Sequence, residues 1–166
     1  MHLSIDFGAS TIDVVSWNNN NYRVLKTIEY SGVGNLENLR DFLIEHELEL
    51  EIARAEKIFV TGGKSHLYQN QGVTCIDEIE AIGKGGAFLL GKMLKNIAPV
   101  EDVLVVSMGT GTCLVHVENE TCKHLGGTGV GGGTFLALSK QLLGVNDVED
   151  VKALYMDGDR KNRIEP

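Results

Sequence analysis

The sequence predicts an α/β protein with an internally repeated plan, and three observations support this prediction. Segments patterned like short strands alternate with segments of helical periodicity along the 166 residues. A strand, a Gly/Ser/Thr turn and a hairpin occur at "IDFGAST" and again about a hundred residues later at "VSMGTGT". Glycine is concentrated in "LGGTGVGGGTFLAL", where its conformational cost is tolerated if backbones must approach closely.

The first copy of the plan begins with three strands around a turn. These strands are predicted at residues 3–6, 12–17 and about 22–30, with the turn at 8–11. A helix follows, and Asn35 is predicted as its N-cap because an asparagine side chain can accept from the first backbone amides. The apolar residues at helical spacing behind this cap are Leu36, Leu39, Phe42 and Leu43.

Two short strands and a longer helix complete the first copy. The strands are predicted at "KIFVTGG" and "GVTCI". Asp77 with Glu80 three residues later is an aspartate version of the capping box, so a helix is expected from Glu78. Its apolar side chains on or near one face are Ile79, Ile82, Phe88, Leu89 and Met93.

The second copy restarts at residue 102. Its predicted elements are strands at 103–107, 113–118 and 122–125, a glycine loop and a helix at 134–143. Gly144 is expected to stop that helix, and Asp147 to begin a last helix that runs to about Met156. We therefore expect a first domain over residues 1–98 and the beginning of a second, cut short, over 102–166.

Composition excludes several classes of protein. With 43% hydrophobic and 23% charged residues the chain can bury a core, and its net charge of −8 argues against a nucleic-acid partner. No apolar run is long enough to span a membrane, and the N-terminus lacks a signal-peptide pattern. Cys75, Cys113 and Cys122 form no C-x-x-C pair. We expect a cytoplasmic protein in a reducing compartment, without membrane contact.

The glycine turns are predicted to bind phosphate. A strand–turn–strand rich in Gly, Ser and Thr presents backbone N–H groups on one side, which favours an anion. An ordinary hairpin would explain either turn alone, but two related turns and a glycine-rich loop before a helix favour phosphate. Asp6 lies beside the first turn and is the candidate Mg²⁺ ligand. The candidate phosphate-binding residues are Gly8, Ser10, Thr11, Gly109, Thr110, Gly111, Thr112, Gly131, Gly132 and Gly133.

These segments resemble a known family. "DFGAST" and "SMGTGT" resemble the two phosphate loops of the acetate/sugar kinase–Hsp70–actin superfamily, and no Walker-type loop is present. "LGGTGVGGGTFLALSKQLLG" is similar to the long glycine loop of the type II (eukaryotic-like) pantothenate kinases. "TGG" at 61–63, "DEIEAIGKGG" at 77–86 and "DGDR" at 157–160 follow in the family order.

This resemblance implies a fold, an activity and partners. The fold would be a duplicated ribonuclease H-like (actin-like ATPase) fold with its second domain incomplete in this chain. The activity would be ATP- and Mg²⁺-dependent phosphorylation of the hydroxyl of pantothenate or a related hydroxy acid or amide, the first step of coenzyme A biosynthesis. The full-length form would be a homodimer, and we expect this fragment alone to be inactive.

The resemblance also assigns residues. Glu78 matches the family's catalytic carboxylate, and a place at the start of a helix favours its ionised form. Cys113 and His124 stand where the family has a Ser and an Arg that contact pantothenate, so both are candidate substrate contacts together with Glu78. Asp13 stands where the family has a Lys, which would replace attraction to a triphosphate by repulsion unless Asp13 points away or joins Asp6 at the metal.

Two other functions remain open at this stage. A nucleotide-binding regulator or pseudokinase on the same fold would fit the changes at Asp13, Cys113 and His124. An ATPase activator of a radical dehydratase shares the phosphate loops, but it needs cysteines that bridge a cluster at a dimer interface. Cys113 and Cys122 are predicted on hairpin strands instead, so this alternative ranks last.

Overall fold

The computed structural model describes residues 1–18, 21–29, 38–94 and 102–158. The strands are β1 (His2–Phe7), β2 (Thr11–Asn18), β3 (Asn21–Glu29), β4 (Lys57–Thr61), β5 (Thr74–Cys75), β6 (Asp102–Met108), β7 (Thr112–Glu118) and β8 (Thr121–Thr128). The helices are α1 (Leu39–Glu45), α2 (Glu49–Arg54), α3 (Glu78–Met93), α4 (Gly132–Leu143) and α5 (Val148–Asp157), with a 3-10 turn at Ser65–Tyr68. The predicted mixed α/β class is confirmed.

The first sheet has the strand order β3-β2-β1-β4-β5. Strand β1 is antiparallel to β2 and parallel to β4, while β2 pairs antiparallel with β3 and β4 pairs parallel with β5. Successive side chains of a strand point to opposite faces, and in β1 Leu3, Ile5 and Phe7 are buried together on one face. The other face therefore carries His2, Ser4 and Asp6.

Helix α1 covers the buried face of this sheet. Leu39, Phe42 and Leu43 join the same core, and the Phe7 and Phe42 rings lie 6.1 Å apart. Asn38 caps the helix, since its Oδ1 accepts from the Arg40 backbone N–H at 2.9 Å. Asn35 and Leu36, which the sequence placed at this helix start, lie outside the described residues.

Helix α3 begins as predicted but packs differently. The Asp77 Oδ1 accepts from the Glu80 backbone N–H at 3.0 Å, which confirms the predicted cap. A β-carbon at Gly83 would lie 2.5 Å from the Cys122 Sγ and 3.0 Å from Val115. Phe88, Leu89 and Met93, expected to line the apolar face, are exposed. Small residues rather than large apolar ones thus face β7 and β8.

The second sheet has the order β6-β7-β8, which repeats the strand–turn–strand–hairpin plan of the first. Asn119 and Glu120 have positive φ values of 48° and 65°, as expected of a tight hairpin. Strand β8 runs through Gly126 and Gly127 to Thr128, three residues beyond its predicted end, and α4 starts two residues earlier than predicted. Gly144 ends α4 in the left-handed conformation and Asp147 caps α5, both as predicted.

The described chain separates into two compact units. The first comprises Met1–Val105 with Val115–His124, and the second comprises Val106–Leu114 with Leu125–Pro166. The predicted division into domains at residues 98–102 stays a prediction. In the described stretches, no helix combines the length and the apolar composition that crossing a membrane requires. Asp159 and Arg160 of the "DGDR" segment lie outside the described residues.

Candidate functional site

Asp6 lies near the carboxyl end of β1, in a row of polar residues that crosses the first sheet. It pairs with Asp13 on β2 and with Thr61 on β4, and Asp13 pairs in turn with Thr27 on β3. Residues directly paired across strands have their side chains on the same face. The row therefore reads Thr61, Asp6, Asp13, Thr27, with two carboxylates at its centre.

The electrostatics of this row follow from its composition. The pKa of the Asp6 carboxyl is raised above its ordinary value, first by burial and then by repulsion from Glu78 and Asp13. Its side chain nevertheless keeps part of its surface exposed to solvent. A partly desolvated carboxylate among like charges disfavours its own ionisation, and a nearby cation would relieve this cost.

The glycines after β4 bring the end of this strand against β1. Gly62 has φ +88°, and a β-carbon there would lie 2.5 Å from the Phe7 carbonyl oxygen and 2.6 Å from the Asp6 Oδ1. A β-carbon at Gly63 would lie 4.0 Å from the Glu78 Oε2. The sequence predicts residues 61–63 as the glycine end of a strand and as a segment in the family order. The structure shows that these glycines allow Asp6 and Glu78 to flank one turn of backbone.

Glu78 is the first residue of α3, as predicted. The Asp77 cap fixes the helix start, and a carboxylate in the first turn is stabilised by the helix dipole. The neighbouring Glu80 is engaged by Lys84 one turn along the helix, so these two acids of the first turn differ in their surroundings. Glu78 and Asp6 thus belong to the same unit and interact electrostatically.

The first turn of the chain is held by close backbone packing. A β-carbon at Gly8 would lie 2.8 Å from the Thr11 carbonyl oxygen, so a larger residue would push the turn open. The Thr11 hydroxyl donates to the Asp13 Oδ2 at 3.3 Å, and the Thr27 hydroxyl donates to the Asp13 Oδ1 at 2.5 Å. Asp13 is therefore bound from two sides, which sequence reasoning did not predict.

The second turn is joined to the glycine loop within the second unit. The Gly132 N–H donates to the Gly109 carbonyl oxygen at 2.8 Å, and the Thr112 hydroxyl donates to the Val130 carbonyl oxygen at 2.8 Å. A β-carbon at Gly131 would lie 2.6 Å from the Thr110 carbonyl oxygen and 2.7 Å from the Gly111 Cα. The predicted phosphate residues of this half thus lie together, and the close contacts at Gly131 leave no room for a side chain.

The start of α4 belongs to this arrangement. Gly131 is its N-cap, and no side chain caps the helix. Gly133 packs on Thr110, since its β-carbon would lie 3.0 Å from the threonine Cγ2. A helix N-terminus beside a glycine turn presents N–H groups and a positive dipole end to an anion. The role of these residues in phosphate binding stays a prediction.

The two candidate substrate contacts lie on strands of the second sheet. Cys113 is on β7 and half-buried, while His124 is on β8 and exposed. Cys113 belongs to the second unit and His124 and Glu78 to the first. Their predicted role at one substrate site stays a prediction. Cys113 and Cys122 lie on hairpin strands, as predicted.

The described acidic residues could hold a magnesium ion only with few protein ligands. Among the described residues, no group of three or more His, Cys, Asp or Glu side chains is arranged to hold a metal ion. Mg²⁺ is commonly held by one or two carboxylates together with waters and substrate phosphates. Asp6, the acid beside the first turn, can supply one such carboxylate ligand.

Comparison with known proteins relates these features to a family. The family model described as Fumble matches residues 9–163. A type II pantothenate kinase of Bacillus cereus (strain ATCC 14579) is 38% identical over 111 residues, which are 64% of this chain and 40% of the relative. The chain thus spans well under half the length of this curated relative.

Solved structures share the fold. Component A of the (R)-2-hydroxyglutaryl-CoA dehydratase of Acidaminococcus fermentans matches with a TM-score of 0.62 at 18% identity, over 99% of this chain and 62% of that one. The ROK hexokinase of Thermus thermophilus matches with a TM-score of 0.53 at 16% identity, over 96% of this chain and 70% of that one. The ribonuclease H-like fold and the resemblance to type II pantothenate kinases are confirmed, and the chain belongs to the Fumble family.

Proposed function

We propose that the protein is an ATP-dependent kinase that phosphorylates a hydroxyl of a small acid or amide, with pantothenate as the first candidate. The observation that carries this proposal is the approach of Asp6 and Glu78 around Gly62 and Gly63, at the ends of β1 and β4. The name of the Bacillus cereus relative supports the same activity and substrate.

Each glycine turn is a candidate phosphate-binding segment of its own unit. Gly8–Thr11 would offer backbone N–H groups in the first unit, and Gly109–Thr112 with the start of α4 would offer them in the second. Asp6 would hold Mg²⁺ directly or through water. The bound ion would supply charge neutralisation on the phosphates during transfer.

Glu78 would act on the substrate hydroxyl. Its carboxylate accepts the hydroxyl hydrogen bond, orients the oxygen towards the terminal phosphate and takes the proton as the phosphoryl group is transferred. His124, which belongs to the same unit as Glu78, would contact the rest of the substrate.

Substitution of Glu78 tests this assignment. In the longest natural form of the protein, Glu78→Gln is expected to lower turnover by about 10²–10⁴-fold, because the base is lost while the side-chain shape is kept. Nucleotide affinity is expected to change little. The measurement is ADP formation with and without pantothenate, alongside calorimetric nucleotide binding.

Glu80→Gln is the matched control. It lies in the same first turn, and its removal breaks only the exposed ion pair with Lys84, which contributes little. Full turnover in the Glu78→Gln variant would show that Glu78 is not the base. Nucleotide binding without ADP formation in the unaltered protein would instead favour a nucleotide-binding regulator. The observation that favours this second function is the carboxylate of Asp13 opposite Asp6, where the resemblance places a Lys.

A further inference from the structure

Asp13 is the acid of the site that the proposed chemistry does not use. It stands opposite Asp6 in the β1–β2 register, on the same face of the sheet. Like charges directly opposite each other in a sheet repel, so this pair costs stability unless something offsets it. The Asp13 carboxylate nevertheless has hydrogen-bond donors of its own.

Two threonine hydroxyls fix the position of the Asp13 carboxylate. Thr27 donates to one oxygen from β3, and Thr11 donates to the other from the start of β2. An ionised carboxylate only accepts hydrogen bonds, and two hydroxyl donors match that requirement. The carboxylate is thus held beside Asp6, where a free side chain would turn towards solvent.

The contact with Asp13 also occupies the Thr11 hydroxyl. The Thr11 hydroxyl donates to the Asp13 Oδ2 at 3.3 Å, so it is engaged by a carboxylate instead of an anion in the 8–11 turn. The turn lies between two carboxylates, with Asp6 two residues before it and Asp13 two residues after it, paired across the strands. A highly charged anion meets repulsion there, and an anion that carries its own divalent cation meets far less.

We propose that Asp13 is a specificity-determining residue that makes the 8–11 turn accept a nucleotide as its Mg²⁺ complex and reject the free nucleotide. This inference rests on the proposed nucleotide binding. Mg²⁺ offsets two negative charges of the polyphosphate, so repulsion from Asp13 acts mainly on the uncomplexed form. Asp13 thereby excludes a form of nucleotide that could occupy the site without the ion that transfer needs.

The experiment compares the affinity for ATP in excess Mg²⁺ with that in EDTA, by calorimetry, in the longest natural form of the protein. Asp13→Asn keeps the shape and an oxygen that can accept from Thr27, but removes the charge. The preference for the Mg²⁺ complex is expected to fall by roughly five- to tenfold, mostly through tighter binding of free ATP.

Thr27→Val is the second variant, and it keeps the charge while removing the donor that fixes it. The preference is expected to fall about two- to threefold, because the released carboxylate can turn into solvent. Asp41→Asn is the matched control: it makes the same charge change on α1, which covers the opposite face of the sheet. Trp17, the single tryptophan, contacts His2 and Phe59 in this sheet, so its emission verifies that each variant is folded.

The outcomes separate this inference from the proposed function. A wild-type protein that binds both forms equally, or variants at residues 13 and 27 that keep the wild-type preference, would overturn the role of Asp13 and leave the kinase proposal standing. If Asp13→Asn does not fold, the Thr27→Val result decides. A wild-type protein that binds nucleotide in neither condition would overturn the proposed function and this inference with it.

Discussion

The two strand–turn–strand copies share a plan but differ in what surrounds them. Phe7 precedes the first turn, is 1% exposed and stacks on Tyr68 with ring centroids 4.7 Å apart. Met108 holds the same place before the second turn and is 76% exposed. Ser139 is the single buried residue among those described in the second unit. The turn is thus encoded locally, whereas a core requires residues from distant parts of the chain.

The chemistry of the two turns differs as well. Asp6 stands two residues before the first turn glycine, and Ser107 stands at the equivalent place before the second. The first turn is flanked by Asp6, Asp13 and Glu78, and the second is packed against glycines and a helix start. Carboxylates are therefore concentrated around the first turn, and glycine backbone around the second.

Steric packing at the first copy gives the largest expected effect. Gly62→Ala is expected to destabilise the protein by about 2–4 kcal/mol, since it adds left-handed strain to a clash with backbone and with Asp6. Urea unfolding followed by tryptophan emission measures this change. Nucleotide affinity should fall as well, because Asp6 must move.

Gly72→Ala is the control for this prediction. Gly72 has φ +71°, but a β-carbon there meets nothing within 4 Å, so strain alone acts, at about 1–2 kcal/mol. The difference between the two variants isolates the contact with β1. Equal losses in both would show that the end of β4 does not press on Asp6.

The second copy should be less sensitive. Gly131→Ala is expected to cost about 1–3 kcal/mol, because the new methyl group meets the Thr110 and Gly109 carbonyl oxygens. Gly129→Ala, where a β-carbon meets nothing within 4 Å, should stay within about 0.5 kcal/mol. Thermal unfolding measures both variants. A loss at Gly129 as large as that at Gly131 would contradict the close packing of the two loops.

Elements set by short-range chemistry could be predicted from the sequence. Asp77 and Gly144 were placed correctly because a cap or a helix stop acts within one turn of chain. The two strand triplets were found for the same reason, through alternation and turn residues. The extension of β8 through Gly126 and Gly127 was not found, since pairing with β7 overrides the low strand preference of glycine.

Contacts between distant segments could not be predicted. The hydrogen bond from Thr27 to Asp13 depends on the β2–β3 register, which no local pattern fixes. The role of Gly83 in α3 became visible only once Val115 and Cys122 were opposite it. The sequence presents the glycines of α3 as part of a motif and predicts packing for Phe88, Leu89 and Met93, which are exposed. The identity of the candidate acids was predictable, and the partners that position them were not.

The smallest expected effect concerns the charge that distinguishes the first copy. Asp6→Asn should raise the free energy of unfolding at pH 7 by less than about 1 kcal/mol, since solvent screens the repulsion at this exposed group. The raised pKa of the Asp6 carboxyl determines whether wild-type stability rises or falls with pH. The folded protein retains the proton at a pH where the unfolded chain, with an ordinary value of 3.8, has lost it.

Wild-type stability is therefore lost as the pH rises from about 3.8 through the raised pKa, and the asparagine variant avoids this loss. The advantage of the variant should be present at pH 7 and should vanish below about pH 4, where the wild-type carboxyl is protonated in both states. Thermal midpoints of both proteins across this range measure it, with Asp41→Asn as the control for an exposed charge on α1. A variant that is less stable than wild type at pH 7, or whose advantage does not change with pH, would show that Asp6 is not strained by its neighbours. The two copies would then still differ in the residue two places before the turn glycine, Asp6 or Ser107, but the first copy would carry no electrostatic cost for its acid.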